Sequence, residues 1–136
     1  MAETTPFEKF SIVYNRSDVI FEENSLGDEM YIIHSGRVKL SSTAHGREIV
    51  LGTLGPGEFF GEMALVDAAP RSATATAEED NTRVIVLDQT KFLYLVSQQP
   101  VFALAMMQTL SQRIRERRIL SLGPPGRIAK RSNTSR

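Results

Sequence analysis

The chain has 136 residues, enough for one domain with a real core, and its 41% hydrophobic and 24% charged content is that of an ordinary globular protein. It contains no cysteine, which removes disulfide scaffolds, thiolate metal sites and cysteine nucleophiles from consideration. A net charge of zero hides an asymmetry: residues 113–136 carry eight bases against one acid, whereas residues 1–112 carry eight bases against fifteen acids. The C-terminal segment is therefore expected to have an acidic partner, and the body of the chain is itself acidic. No apolar run approaches the roughly 20 residues of a membrane span. MAETTPFEKF lacks the basic start and apolar core of a signal peptide, so the expected location is cytoplasmic.

Residues 1–9 read as a short N-terminal segment. FSIVYN and VIFEE then form β-rich runs on either side of Arg16-Ser17-Asp18. Gly27-Asp28 precedes EMYIIHSG, and Gly36 turns the chain into RVKLSS, where Val38 and Leu40 alternate with Arg37 and Lys39. Ala44-His45-Gly46 makes a hairpin into EIVLGTL, and Gly55-Pro56-Gly57 is a hard break. SATATA and TRVIVLD supply further strands around a polar turn at residues 78–81. Seven or eight short strands at this spacing over residues 10–88 predict a barrel or a double-sheet jelly roll, not a parallel sheet.

The period then changes. Asp88 suits the N-cap of a helix carrying Phe92, Leu93, Leu95 and Val96. Pro100 suits the first position of a second helix, with Leu104, Met107, Leu110 and Ile114 on one face. Both helices fall within residues 89–121, which makes the fold class mainly β with C-terminal helices and the domain residues 10–121. Gly123-Pro124-Pro125-Gly126 ends the helical pattern, and residues 122–136 read as a basic, disordered tail.

Between these halves lies FGEMALVDAAPRSAT, residues 60–74, in which Glu62 and Arg71 stand in a small or apolar run. Charges in such surroundings need partners. One answer is an internal Glu62–Arg71 ion pair; the other is a ligand. Gly61 permits close backbone approach, and EMALV has room for one helical turn whose N–H groups attract an anion. Arg71, after Pro70, offers a planar fork for phosphate, while Glu62 is a pure acceptor suited to a hydroxyl. A ligand with one phosphate and a free sugar hydroxyl satisfies both.

This segment resembles the phosphate-binding cassette of the cyclic-nucleotide-binding domain found in bacterial cyclic-AMP receptor proteins, protein-kinase regulatory subunits and nucleotide-gated channels. The likeness rests on Phe60-Gly61-Glu62-Met63-Ala64-Leu65 and Pro70-Arg71-Ser72-Ala73, with GDEMYIIHSGRVKL (27–40) resembling the family's early hairpin. It implies an eight-stranded antiparallel β-roll, or jelly roll, over residues 10–88 and a ligand-binding set of Gly61, Glu62, Met63, Ala64, Arg71, Ser72 and Ala73. Glu62 would accept the ribose 2′-hydroxyl, with Gly61 near the ribose. Arg71 and the N–H groups of Ala64 and Ser72 would hold the phosphate. Leu65 would be an apolar switch, and the second helix a lid touching the base from within residues 106–117.

The implied function is that of a cyclic-nucleotide receptor, cyclic AMP favoured over cyclic GMP, which signals to a separate protein effector. The alternatives are a scaffold of the same fold whose pocket senses nothing, and a truncated transcription regulator. The helix at 100–118 is the candidate seam of a homodimer. No catalytic residue, metal site or cofactor is expected. His34 and His45 lack the clustering of a metal site, Ser72 has no neighbouring base, and no P-loop or nucleophile elbow appears. GRIA (126–129) resembles the start of a helix-turn-helix, but the seven residues after it cannot build one, so nucleic acid is not an expected partner.

Overall fold

The computed structural model describes residues 9–121. In chain order its strands are β1 (Ser11–Tyr14), β2 (Val19–Phe21), β3 (Met30–Ser35), β4 (Val38–Ala44), β5 (Arg47–Leu54), β6 (Phe59–Phe60), β7 (Thr74–Ala77) and β8 (Thr82–Leu87). They form two four-stranded antiparallel sheets, ordered β1-β8-β3-β6 and β2-β7-β4-β5, which is the expected β-roll.

Alternation decides which side chains enter the core. Tyr31 and Ile33 of β3, Val84 and Val86 of β8 and Phe60 of β6 join Val38 of β4 and Ala75 of β7 in one buried cluster. The rings of Tyr31 and Phe60 stack with centroids 5.1 Å apart. On β7 the sequence Thr-Ala-Thr-Ala buries only its alanines, so this strand adds little bulk to a core filled by aromatics. β5 departs from the pattern: Ile49, Val50 and Leu51 are all exposed at the free edge of their sheet.

The turns follow the local chemistry. His45 and Gly46 connect β4 to β5 with φ of 54° and 75°, the positive pair that a two-residue type I′ hairpin requires. Gly36, between β3 and β4, has φ of 91°, and a Cβ there would lie 2.7 Å from the Cα of Thr82. Glycine at this position therefore serves both the turn and the approach of β8.

Helix α1 (Gln89–Gln98) begins as expected, with Asp88 Oδ1 accepting a hydrogen bond from the Lys91 N–H at 2.9 Å. Helix α2 (Pro100–Ser121) starts at Pro100, where a missing N–H loses nothing. The strands and the first turn of α1 form one compact unit, and the chain from Leu93 onward a second. Within that second unit Leu95 and Met106 are buried, whereas Leu104, Met107 and Ile114 are exposed. No helix of the described residues is long and apolar enough to cross a membrane. The basic tail, and all of the N-terminal segment except Lys9, lie outside the described residues.

Two alanine variants test the Gly36 contact. Gly46→Ala, whose Cβ would meet nothing within 4 Å, should lose only the backbone term, about 1–2 kcal/mol. Gly36→Ala should lose more, read as a larger fall in the urea midpoint at unchanged m-value. Equal losses would mean that Thr82 does not crowd the turn.

Candidate functional site

Arg71 enters the site through its backbone. The Asn24 N–H donates to the Arg71 carbonyl at 2.7 Å, and the Arg71 N–H donates to the Ser25 carbonyl at 2.8 Å. The turn that supplies these groups is itself anchored. Asn24 adopts φ of 72°, a region asparagine tolerates, and the Ser25 N–H closes on the Glu22 carbonyl at 3.1 Å. The Glu23 N–H donates to Thr74 Oγ1 of β7 at 2.9 Å. Its carboxylate accepts from Ser42 Oγ at 2.7 Å and the Thr43 N–H at 3.1 Å, both on β4. These two hydrogen bonds hold the Glu23 carboxyl below its usual range. Residues 22–25 thus bracket the arginine against the β2-β7-β4-β5 sheet.

The Arg71 side chain is only 7% exposed. Its Cζ lies 4.1 Å from the centroid of the Phe21 ring and 5.7 Å from that of Tyr31. Nη1 donates to the Gly61 carbonyl at 3.2 Å, while Nε is buried with no hydrogen-bond partner. Among the described residues no carboxylate closes an ion pair on this guanidinium. Burial pushes the Tyr31 hydroxyl up to about 12, the nearby Glu29 carboxylate adding to the rise and Arg71 opposing it. The aromatic platform therefore stays neutral at any working pH.

Gly61 opens the other wall. At φ of 75° it leads into a four-residue 3₁₀ turn, Glu62–Leu65, the single helical turn expected of EMALV. Its carbonyl accepts both Arg71 Nη1 and the Ala64 N–H, the latter at 3.3 Å. A Cβ on Gly61 would lie 2.9 Å from Arg71 Nη1, so the close approach read from the sequence is made to the arginine itself. Leu65 is buried, Met63 exposed, and the Leu65 carbonyl accepts from Gln89 Nε2 at 2.9 Å. A cleft of about 490 Å³ opens between residues 26–28 and 64–68.

Gly61, Glu62, Met63 and Ala64 thus form one continuous turn, which Arg71 joins through the Gly61 carbonyl. Ser72, exposed, and Ala73, buried, follow directly. Residues 106–116 belong to the second unit. Sequence reading did not identify Phe21, Glu23, Asn24, Ser25 or Gly27 as neighbours of Arg71. VIFEE announced a strand and Gly27-Asp28 a turn, and neither signal says what lies across the roll.

Among the described residues Arg71 is the one charged side chain buried in the β-roll, and it lies beside a glycine-led helical turn. The chain belongs to the cyclic nucleotide-binding domain family, whose match spans residues 11–99. It is 40% identical over 105 residues to the cyclic AMP receptor protein of Thermus thermophilus, covering 76% of this chain and 48% of that protein. The crystal structure of the Thermus thermophilus catabolite activator protein superposes with a TM-score of 0.72 at 38% identity, covering 82% of this chain and 53% of the other. The cAMP-bound form of the EAL enzyme Bd1971 superposes with a TM-score of 0.59 at 40% identity, covering 78% and 28%. The chain spans about half the length of the bacterial receptor it matches, and less of the enzyme.

The bracket makes a pH prediction. Because the folded state lowers the Glu23 pKa, the carboxylate's contribution is complete above the usual glutamate range and is lost as pH falls through the lower folded value. Glu23→Gln should therefore lower the urea midpoint at pH 7 and converge with the wild type in acid. A stability gap that does not change with pH would show that the carboxylate charge is not what holds the turn.

Proposed function

We propose that the chain is a non-catalytic cytoplasmic receptor module, residues 10–121, for a 3′,5′-cyclic nucleotide. The observation that carries this reading is the Arg71 guanidinium, buried without a counter-ion among the described residues and with Nε unpartnered. Burying an unpaired charge costs several kcal/mol, so a site of this kind is completed by an anion. A cyclic phosphate is a monoanion, which one arginine and two or three N–H donors neutralise. Hydrogen bonds to a charged group contribute about 1.5–3 kcal/mol each.

In this reading Arg71 and the N–H groups of Ala64 and Ser72 hold the phosphate, Glu62 accepts the ribose 2′-hydroxyl, and Gly61 lies against the ribose. Met63 and Ala73 complete the wall. The sequence likeness to a cyclic AMP receptor protein supports cyclic AMP as the preferred ligand. Ligand binds the state in which the cassette is tightened and the C-terminal helix closed, and so shifts the population toward it. The Gln89–Leu65 hydrogen bond supports that coupling, because it ties the end of the cassette turn to the first turn of α1. The closed state is read by a separate protein partner or by a second copy of the chain through residues 100–118. The exposed Leu104, Met107 and Ile114 support the latter route.

Thermal unfolding with cyclic AMP, cyclic GMP or 5′-AMP tests the reading. Ligand at 100 times its dissociation constant adds about 2.7 kcal/mol, a rise of several degrees at this size. The expected result is a rise with the cyclic nucleotides, larger for cyclic AMP, and none with 5′-AMP. Arg71→Ala should abolish the rise while the apo protein still unfolds cooperatively. No rise with either cyclic nucleotide would leave a scaffold whose pocket senses nothing.

A further inference from the structure

A buried guanidinium is commonly held by a carboxylate, which orients it and also neutralises it. Among the described residues Arg71 is held by neutral groups instead. The Phe21 ring lies beneath the guanidinium at 4.1 Å, and the Gly61 carbonyl takes Nη1. Over the other end stands Gly27. A Cβ built there would lie 2.5 Å from Nη2, 3.0 Å from Cζ and 3.0 Å from Nε, and these are its three nearest heavy atoms. Gly27 does not have the left-handed φ that demands glycine, so what bars a side chain at this position is the arginine itself.

Phe21 is in turn fixed from behind. Its ring packs tilted against Tyr31 at 5.6 Å and Phe60 at 5.8 Å, and Tyr31 stacks on Phe60. The ring face attracts the cation through its quadrupole and brings no opposite charge. A guanidinium gripped in this way keeps its full charge for an incoming anion, whereas a carboxylate in the same place would compete with that anion.

We infer that Phe21 and Gly27 form a slot that fixes the plane of the Arg71 guanidinium, and that both are positioning residues for phosphate binding at this site. The inference rests on the reading of Arg71 as the phosphate ligand, and its test has one arm that does not.

The test uses the full chain with three variants. Phe21→Leu keeps an apolar side chain and removes the quadrupole, Phe21→Tyr keeps the ring, and Gly27→Ala adds one methyl group against the guanidinium. Calorimetric titration with cyclic AMP should show Phe21→Leu and Gly27→Ala weakened by roughly 3- to 30-fold, and Phe21→Tyr within about twofold of the wild type. The independent arm is the Arg71 Nε–H resonance of the apo protein, which ring current should shift upfield in the wild type and Phe21→Tyr. That shift should be lost in Phe21→Leu. Should Phe21→Leu not fold, Gly27→Ala decides, since it removes no packed apolar group. Wild-type affinity in both Phe21→Leu and Gly27→Ala would overturn the slot while leaving the receptor reading intact. A wild type that does not bind cyclic AMP would overturn that receptor reading, and an unshifted Nε–H would then overturn the slot on its own.

Discussion

A guanidinium buried with no counter-ion among the described residues is the constraint on which the rest of the β-roll depends. Removing an arginine from water costs several kcal/mol even after relaxation. Neutral groups recover part of this: a ring face is worth roughly 0.5–2 kcal/mol, and a carbonyl hydrogen bond to a charged donor roughly 1.5–3 kcal/mol. The Nε–H has no partner, so the apo site retains an unmet demand. A fold can carry that only on a well-packed base, and the base is the stack of Phe21, Tyr31 and Phe60 drawn from β2, β3 and β6. Both sheets contribute a ring, so the arginine stands where they meet.

The backbone bracket shows how the same constraint reaches outward. Arg71 cannot shift without disturbing Asn24 and Ser25, and their turn is tied through Glu23 to Thr74, Ser42 and Thr43. Both segments that the bracket joins to the turn are strands of one sheet, whose ladders resist sliding because a one-residue slip would turn every core side chain outward. On the opposite wall the Gly61 carbonyl accepts from the arginine and from Ala64 together. A pull on the guanidinium is therefore felt by the 3₁₀ turn, and at the end of that turn the Leu65 carbonyl is held by Gln89. The chain of contacts from the guanidinium to the helix start is short and consists of hydrogen bonds with defined partners.

Much of this was legible in the sequence because it is local. β-Rich runs between turn signals marked seven strands, Asp88 and Pro100 marked both helix starts, and residues 60–74 marked the glycine-led turn and Arg71. Strand β6 escaped alternation because two residues cannot display a period, although Phe59 and Phe60 are among the most buried side chains. The exposure of Ile49, Val50 and Leu51 was equally hidden, since an apolar strand reads the same whether or not a second layer covers it. The neighbours of Arg71 were invisible for a different reason. Phe21 and Gly27 lie more than forty residues away in sequence, and only the return of the chain beside β2 brings them to the guanidinium. Glycine at position 27 looked like turn chemistry, and its backbone conformation shows that the turn does not require it.

Charge explains why one arginine is sufficient for the proposed ligand. Residues 1–112 carry an excess of seven acids, so their net charge disfavours anions at long range. An anion binds there only if local contacts outweigh that field. A monoanion facing a single desolvated cation leaves no buried charge behind. A dianion leaves one negative charge in a low-dielectric pocket, with no second buried cation among the described residues, and the net acidity of residues 1–112 adds to its penalty. Placing a carboxylate behind the guanidinium would erase even the monoanion's advantage, since the pair would already be neutral before ligand arrived. An aromatic face in that position is the arrangement that fixes the arginine and still leaves its charge for a single phosphate.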